Sequence, residues 1–160
     1  MQPFDFHAVA ERLFVGPCPS SPERIRALRS AGVGALLCLQ TDDDLDSLGL
    51  QWPLLFRFLM AQGIAAHRSA IVDFDDGALT RGLPAAVERV RDLSHGGTAV
   101  YLHCTAGINR SPTVAIGYLV AHGGLDLDSA WRQVTERRPS APNRMALERW
   151  MAAQPSSRQG

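Results

Sequence analysis

A cysteine and an arginine separated by five residues are the part of this sequence best suited to chemistry. Cys104 and Arg110 bracket the segment Thr105-Ala106-Gly107-Ile108-Asn109. A cysteine thiolate is a strong nucleophile, and cationic groups or a helix N-terminus near it lower its pKa to roughly 3.5–7.5. An arginine guanidinium binds two oxygens of one phosphoryl group, which lysine does not do. The spacing therefore predicts attack on phosphorus through a cysteinyl-phosphate intermediate.

The flanking residues favour a strand, a tight loop and a helix, in that order. Residues 98–102 are apolar and rich in strand formers, and residues 113–120 have the pattern of a mostly buried helix. The N–H groups of such a loop converge at the helix N-terminus, where the helix dipole adds partial positive charge. Gly107 lies at the middle of the turn, where a glycine allows either a positive φ or a close approach of the backbone to a ligand. The predicted phosphate contacts are Thr105, Ala106, Gly107, Ile108, Asn109 and Arg110.

Two neighbours of the loop are predicted to support the nucleophile. Ser111 directly follows the arginine, and its hydroxyl is placed to hydrogen-bond the sulfur of Cys104 and help it leave. His103 directly precedes the cysteine and is predicted to act from behind the loop rather than on the substrate. The alternative is that Cys104 is an inert buried thiol, as most free cysteines are. The residues on both sides of the cysteine make that alternative the weaker one.

The reaction also needs a carboxylic acid, because the leaving alkoxide must be protonated as the P–O bond breaks. The same group would then act as a base on the water that hydrolyses the intermediate. Three aspartates upstream of the loop compete for this role: Asp73, Asp75 and Asp76. Asp73 is favoured by its position at the end of a predicted strand, 31 residues before Cys104. Asp75 is the second candidate; both Asp75 and Asp76 otherwise cap the next helix or lie in solvent.

Length and charge restrict the class of protein. The 160 residues are enough for one domain that buries about 68–70% of its unfolded surface. Lys+Arg and Asp+Glu number 16 each, so no overall field attracts nucleic acid or an acidic membrane. No apolar run reaches the roughly 18 residues that span a bilayer, and residues 1–5 lack the features of a signal peptide. We therefore predict a cytoplasmic protein with neither nucleic acid nor membrane as a partner; no oligomeric state is predicted.

The three cysteines have no C-x-x-C spacing, which predicts neither a disulfide framework nor a zinc site. The acidic run at residues 42–46 is interpreted as a solvated loop or helix start rather than a metal site. No metal or other cofactor is expected, because Arg110 and the loop amides supply the charge stabilisation. Arg137 and Arg138 precede the last predicted helix; they either line the anion cleft or are ordinary surface arginines.

Strand-like and helix-like segments alternate along the chain. The strand patterns cover 13–16, 33–39, 64–71 and 98–102, and helical patterns lie between and after them. This alternation predicts a single α/β domain in which helices cover both faces of a mostly parallel sheet of about five strands. The loop would lie at the carboxyl end of its strand, the usual ligand position in such sheets. The domain is predicted to span 1–153, followed by a disordered tail at 154–160.

The segment 103–112 has the HC-x5-R-[ST] pattern and resembles the protein tyrosine phosphatase superfamily, above all its dual-specificity phosphatases. The resemblance implies the cysteine-phosphatase fold, Asp73 as general acid, and hydrolysis of phosphotyrosine and phosphoserine or phosphothreonine in proteins. Within that family the chain is similar to plant glucan phosphatases and, less closely, to laforin. The similarity extends to residues 33–40, the Asp-rich segment after them, Asp73-Phe74-Asp75 and Leu83-Pro84-Ala85.

Two residues depart from the glucan phosphatase pattern. Asn109 replaces the glycine that those enzymes carry before the loop arginine, and Ala141 stands where an aromatic residue is expected. Sugar chains need stacking platforms, for which Trp52, Phe74 and Tyr101 are the candidates, although Trp52 and Tyr101 are equally typical of a core.

Three functions follow as hypotheses. The first is a dual-specificity phosphatase acting on phosphorylated protein, the second is the same chemistry on phosphorylated glucan, and the third is a pseudophosphatase that binds phosphate without cleaving it. The predicted substrate contacts beyond the phosphate are Phe74, Asp75 and Asn143. Cys38, ahead of Cys18, is the predicted partner of Cys104 in a regulatory disulfide, because a low-pKa thiolate oxidises to a sulfenic acid that a second thiol traps.

Overall fold

The computed structural model describes residues 4–155, in which five strands and seven helices build one α/β domain. The strands are β1 (His7–Ala10), β2 (Leu13–Gly16), β3 (Val33–Cys38), β4 (Ala65–Arg68) and β5 (Ala99–His103). The helices are α1 (Pro22–Ser30), α2 (Asp42–Ser47), α3 (Trp52–Ala61), α4 (Asp76–Leu93), α5 (Arg110–His122), α6 (Leu127–Arg137) and α7 (Arg144–Ala152). A short 3-10 turn, His95–Gly97, leads into β5.

The sheet has the order β1-β2-β5-β3-β4, and every neighbouring pair except β1–β2 is parallel. The strand before the loop is therefore central. Val100, Tyr101 and Leu102 of β5 are fully buried, as expected for a strand with helices on both faces. One side of the sheet packs against α4 to α7 and the other against α1 to α3. The predicted fold class is confirmed.

Local sequence explains most element boundaries. Ser21 caps α1 by accepting from the N–H of Arg24, and Pro22 occupies the first turn, where its missing N–H costs nothing. The acidic run is a helix start: Thr41 and Asp44 form a capping box at α2. Negative charge is also favourable there, since the helix dipole is positive at this end.

Strand β1 is the element that the sequence patterns missed. It pairs antiparallel with β2 across a turn in which Arg12 has φ 60°, a left-handed conformation that is uncommon for a residue other than glycine. Only Val9 of its four residues is buried, and its register shifts between Ala8 and Ala10. The alternation that reveals a strand is therefore too short to recognise.

Helix α4 begins at Asp76 and carries Pro84 in its interior. Gly82 packs so closely on Ile71 that a Cβ atom at residue 82 would lie 2.7 Å from the Ile71 side chain.

No helix among residues 4–155 is long and apolar enough to cross a membrane. Of the predicted tail at 154–160, residues 156–160 lie outside the described residues.

Candidate active site

The loop at residues 104–109 joins the central strand β5 to the N-terminus of α5. The Sγ atom of Cys104 lies 3.3 Å from Oγ of Ser111, in the first turn of the helix, and both residues are buried. A hydroxyl at this distance can donate to a thiolate. That Ser111 helps the sulfur leave stays a prediction.

His103 supports the loop from inside the core. Its Nδ1 lies 3.0 Å from the carbonyl oxygen of Cys104. Complete burial lowers the pKa of His103 to about 4, because an imidazolium there would be desolvated. A neutral ring that donates from Nδ1 fixes the first peptide of the loop without adding charge beside the sulfur.

The loop turns its carbonyl groups away from its own centre. The carbonyl of Thr105 accepts from the N–H of Cys18 at 3.0 Å, and the carbonyl of Ile108 accepts from the N–H of Ala141 at 2.8 Å. The two carbonyls between them, at 106 and 107, both accept from the Arg138 guanidinium. Because C=O and N–H point in opposite directions across a trans peptide, the N–H groups of 106–109 point inward.

These inward N–H groups have no partner within the described part of the chain. None of the amides at 105–109 donates to a backbone or side-chain acceptor there, and the N-terminus of α5 has no side-chain cap. Gly107 has φ +71°, and a Cβ atom on it would lie 2.5 Å from the backbone of Gly16. A set of unpaired donors at a helix N-terminus is an anion site.

Arg110 is the largest fully buried side chain among residues 4–155, with 1% of its surface exposed. Its Nη1 donates to Oδ2 of Asp44 at 2.7 Å and to the carbonyl of Ile71 at 2.8 Å. Its Nη2 lies 3.3 Å from Oγ1 of Thr105 and 3.2 Å from Oδ2 of Asp73. Its Nε is buried without a hydrogen-bond partner among the described residues. An unpaired donor at this position is available to an oxyanion.

Asp44 is a residue of this site that the sequence pattern did not single out. Its carboxylate anchors Arg110, while its role in the capping box fixes its own position. Partial burial would raise the pKa of Asp44, but hydrogen bonds from Arg110 and Thr41 outweigh it and hold that pKa below its ordinary value. The acidic run supplied the signal, yet nothing in it indicated which aspartate faces the arginine.

Asp73 lies within ion-pair distance of Arg110, and its role as general acid stays a prediction. Its Oδ2 is the atom 3.2 Å from Nη2, and its Oδ1 accepts from the N–H of Phe74 at 3.0 Å. A quarter of the side chain is exposed. The carboxylate is therefore reachable from the cleft and next to the phosphate site.

The other two candidate acids have structural partners. Asp75 caps α4 by accepting from the N–H of Ala78 at 2.9 Å. Asp76 accepts from Nδ2 of Asn143 at 2.5 Å, and Asn143 itself caps α7 by accepting from the N–H of Ala146. Asp75 and Asn143 line the cleft beside the loop, so they remain predicted substrate contacts, but their capping bonds give them a structural role as well.

Phe74 stands out at the mouth of the site because 97% of its surface is exposed. Its φ of 56° places the side chain between two clefts, of about 440 and 530 Å³, and it lines both. Ile108 and Asn109 face the first cleft, and the second is lined mainly by aspartates. Of the other predicted stacking residues, Tyr101 is fully buried and unavailable to a sugar.

Sequence comparison agrees with this geometry. Residues 53–155 match the family described as dual specificity phosphatase, catalytic domain. The chain belongs to the dual specificity phosphatase family. The match covers the region from α3 to the end of α7, including the loop, Asp73 and both buried arginines.

Curated relatives of this phosphatase-family chain fall into two groups. It is 31% identical over 146 residues to "Phosphoglucan phosphatase DSP4, amyloplastic" of Castanea sativa. This match covers 90% of this chain and 39% of the relative. Over 84 residues it is 40% identical to human dual specificity protein phosphatase 8, covering 50% of this chain and 13% of the relative. The chain thus spans well under two thirds of the length of these relatives.

Solved structures give the same fold. Human DUSP28 superposes with a TM-score of 0.72 at 25% identity, over 95% of this chain and 96% of that one. Cydia pomonella PTP-2 phosphatase superposes with a TM-score of 0.74 at 24% identity, over 94% and 90% of the two chains. The predicted family resemblance is confirmed.

The other cysteines of this dual specificity phosphatase domain lie beneath the loop. Cys38 is fully buried, and its Sγ is 3.6 Å from Oε1 of Gln40. Burial raises the pKa of Cys38, and likewise that of Cys18, to about 12. The register of β3 and β5 places Cys38 beside His103, one residue before the nucleophile. A disulfide between Cys38 and Cys104 stays a prediction.

The two adjacent arginines, Arg137 and Arg138, lie in different environments. It is 3% exposed and contacts the back of the loop, whereas Arg137 is exposed. Sequence offered no signal for this difference, because two adjacent arginines at a helix end have the same local pattern. Only the packing of α6 against the rest of the domain separates them.

Proposed function

We propose that this domain is a cysteine-dependent phosphomonoester hydrolase. The observation that carries the proposal is the set of unpaired donors around the sulfur of Cys104: the inward amides of 106–109 and Nε of Arg110. Donors held in place before the reaction stabilise the charge that develops on the phosphoryl oxygens. We assign residues 1–153 to the catalytic domain.

In the first step, the Cys104 thiolate attacks phosphorus as the bond to the leaving oxygen breaks. Arg110 and the loop amides hold the three non-bridging oxygens, and Asp73 transfers its proton to the leaving alkoxide. The products of this step are a free alcohol, a cysteinyl phosphate and the Asp73 carboxylate. The Asp73–Arg110 contact of 3.2 Å must loosen as phosphate binds, which frees the carboxyl group to face the leaving oxygen.

In the second step, Asp73 removes a proton from water, which attacks phosphorus and displaces the sulfur. Ser111 donates its hydroxyl hydrogen bond to the departing thiolate, at the 3.3 Å contact. Inorganic phosphate leaves, and both Cys104 and Asp73 return to their starting states. Because the cycle needs Cys104 as a reduced thiol, we place the protein in a reducing compartment such as the cytoplasm.

The decisive experiment is hydrolysis of p-nitrophenyl phosphate by the purified chain. We expect turnover, and we expect Cys104→Ser to lower kcat by about 10⁴-fold or more while inorganic phosphate still binds. Phosphate binding without turnover by the wild-type chain would instead establish the pseudophosphatase alternative. Wild-type turnover rates in Cys104→Ser would refute the nucleophile.

We propose phosphorylated protein as the substrate, with phosphotyrosine and phosphoserine or phosphothreonine as the hydrolysed groups. The alternative substrate is phosphorylated glucan. It is favoured by the exposed Phe74, which offers a flat apolar face at the mouth of the site, and by the similarity to a phosphoglucan phosphatase over most of this chain. Phosphate release from phosphopeptides, compared with release from amylopectin, separates the two. Phe74→Ala should reduce only the amylopectin reaction if glucan is the substrate.

A further inference from the structure

Arg138 is a buried cation whose partners carry no formal negative charge. Its Nε donates to the carbonyl of Gly107 at 2.7 Å, and its Nη2 donates to the carbonyl of Ala106 at 3.1 Å. Its Nη1 donates to the carbonyl of Asp5 at 3.1 Å and lies 3.0 Å from Nδ1 of His7. All ion pairs within residues 4–155 involve other cationic side chains, so no carboxylate there pairs with Arg138, which is 3% exposed.

Such an arrangement is costly for stability alone. A buried guanidinium normally needs a carboxylate to compensate for lost hydration. Here the compensation comes from three carbonyl oxygens and an imidazole nitrogen, which are neutral. The positive charge is therefore left uncancelled next to the loop.

The carbonyl contacts also fix the direction of two N–H groups. The carbonyl of Ala106 shares a planar peptide with the N–H of Gly107, and the carbonyl of Gly107 shares one with the N–H of Ile108. Pulling both carbonyls outward therefore turns both N–H groups into the loop. The neighbouring carbonyls, at 105 and 108, are held by backbone amides, so Arg138 is the side chain that performs this function.

We propose that Arg138 is a positioning residue for phosphate binding. It aims the N–H groups of Gly107 and Ile108 at the phosphoryl oxygens, and its uncancelled charge favours an anion in the loop. Through the carbonyl of Asp5 and through His7, the same guanidinium ties the N-terminal segment to the loop. This inference rests on the proposed phosphatase function, since the loop must bind a phosphoryl group.

The test compares Arg138→Met and Arg138→Lys with the matched control Arg137→Met, which changes the exposed neighbour. The readouts are the inhibition constant for inorganic phosphate, kcat/KM for p-nitrophenyl phosphate and the melting temperature, with all kinetics measured well below melting. We expect Arg138→Met to weaken phosphate binding at least tenfold and to lower kcat/KM by about 10²-fold, comparable to losing one preorganised donor.

Arg138→Lys separates the two parts of the proposal. Lysine keeps the charge but has no fork to bind two adjacent carbonyls. We therefore expect a loss of phosphate affinity that is smaller than that of Arg138→Met but still severalfold. If Arg138 had only a structural role, both variants would have a lower melting temperature. The inhibition constant for inorganic phosphate, measured on the folded protein, would then be unchanged. That result overturns the inference.

A measurement on the wild-type chain covers the case in which the variants do not fold. Titration with inorganic phosphate, followed by ¹⁵N–¹H spectra, should shift the amide signals of Gly107 and Ile108 strongly. Unshifted signals at a saturating phosphate concentration would contradict the inference. Failure of the phosphatase proposal is separately visible, since the wild-type chain would then not hydrolyse p-nitrophenyl phosphate at all.

Discussion

Two buried arginines contact the same loop from different directions, and their partners differ in kind. Arg110 lines the cleft and is neutralised by Asp44 and Asp73. Arg138 binds the carbonyls that point away from the loop centre, with no carboxylate partner in residues 4–155. The two side chains are almost equally buried, at 1% and 3% exposure.

The difference indicates that the two arginines have separate roles, Arg110 in the cleft and Arg138 at the rear of the loop. The Asp73 carboxylate bound to Arg110 is partly exposed, at 25%, so water can replace this contact when a phosphoryl group arrives, while Asp44 keeps its contact with Arg110. The carbonyls bound to Arg138 belong to the backbone and cannot leave. Arg110 is therefore suited to exchange partners during the reaction, and Arg138 is suited to hold the loop constant.

Among the variants that compare the cleft with the rear of the loop, Arg110→Lys should have the largest effect. Lysine retains a charge but loses the planar fork that binds Asp44 and phosphate at the same time. We expect kcat/KM for p-nitrophenyl phosphate to fall by about 10³-fold, the scale observed for arginines that stabilise phosphoryl transfer. If Arg110→Lys and Arg138→Lys lost activity equally, the proposed division between cleft and rear would be wrong.

Asp73→Asn addresses the carboxylate that must release Arg110. An amide cannot protonate the leaving alkoxide, so alkyl phosphates should be hydrolysed about 10²–10³-fold more slowly, while aryl phosphates, which have good leaving groups, should be far less affected. Asp75→Asn is the matched control, because asparagine still caps α4. The same leaving-group dependence in Asp75→Asn, and not in Asp73→Asn, would reassign the acid.

Asp44→Asn addresses the carboxylate that keeps Arg110 in place. The amide preserves the shape but removes the charge-assisted hydrogen bond, and we expect kcat/KM to fall about tenfold. Because the folded-state pKa of Asp44 is lowered, its contribution to stability is present above its unfolded pKa and is lost as pH falls through the folded value.

Urea denaturation at pH 7 and at pH 3 tests whether the stability contributed by Asp44 is lost as pH falls. The stability difference between wild type and Asp44→Asn should be larger at pH 7 than at pH 3. An equal difference at both values would mean that the Asp44 charge does not stabilise the folded state.

The smallest effect concerns the thiol beneath the cleft. Peroxide would oxidise Cys104 to a sulfenic acid, and the Cys38 thiol would condense with it to a disulfide, releasing water. Since burial raises the pKa of Cys38 to about 12, this trapping should be slow at pH 7. Cys38→Ser should leave initial turnover unchanged but reduce its recovery by thiols after peroxide. Mass spectra without a Cys38–Cys104 linkage in the wild type would remove the hypothesis.

Elements with a long local signal were predictable. The apolar run of β3, the capped start of α1 and the strand–loop–helix around Cys104 each follow from residues close in sequence. β1 was not predictable, because it is short, irregular and stabilised mainly by its pairing with β2. Likewise, α4 continues through Pro84, against local preference, because its apolar face packs on the sheet.

The sequence by itself determined the chemistry: a nucleophilic sulfur, a guanidinium six positions later and a loop that begins a helix, all within ten residues. Tertiary structure decided which distant groups contact the loop and its arginine. Asp44, Asp73 and Arg138 come from three separate segments, and each has neighbours of the same residue type nearby that do not contact the loop. The type of each side chain follows from the sequence, but the direction in which it faces depends on how the sheet and helices pack.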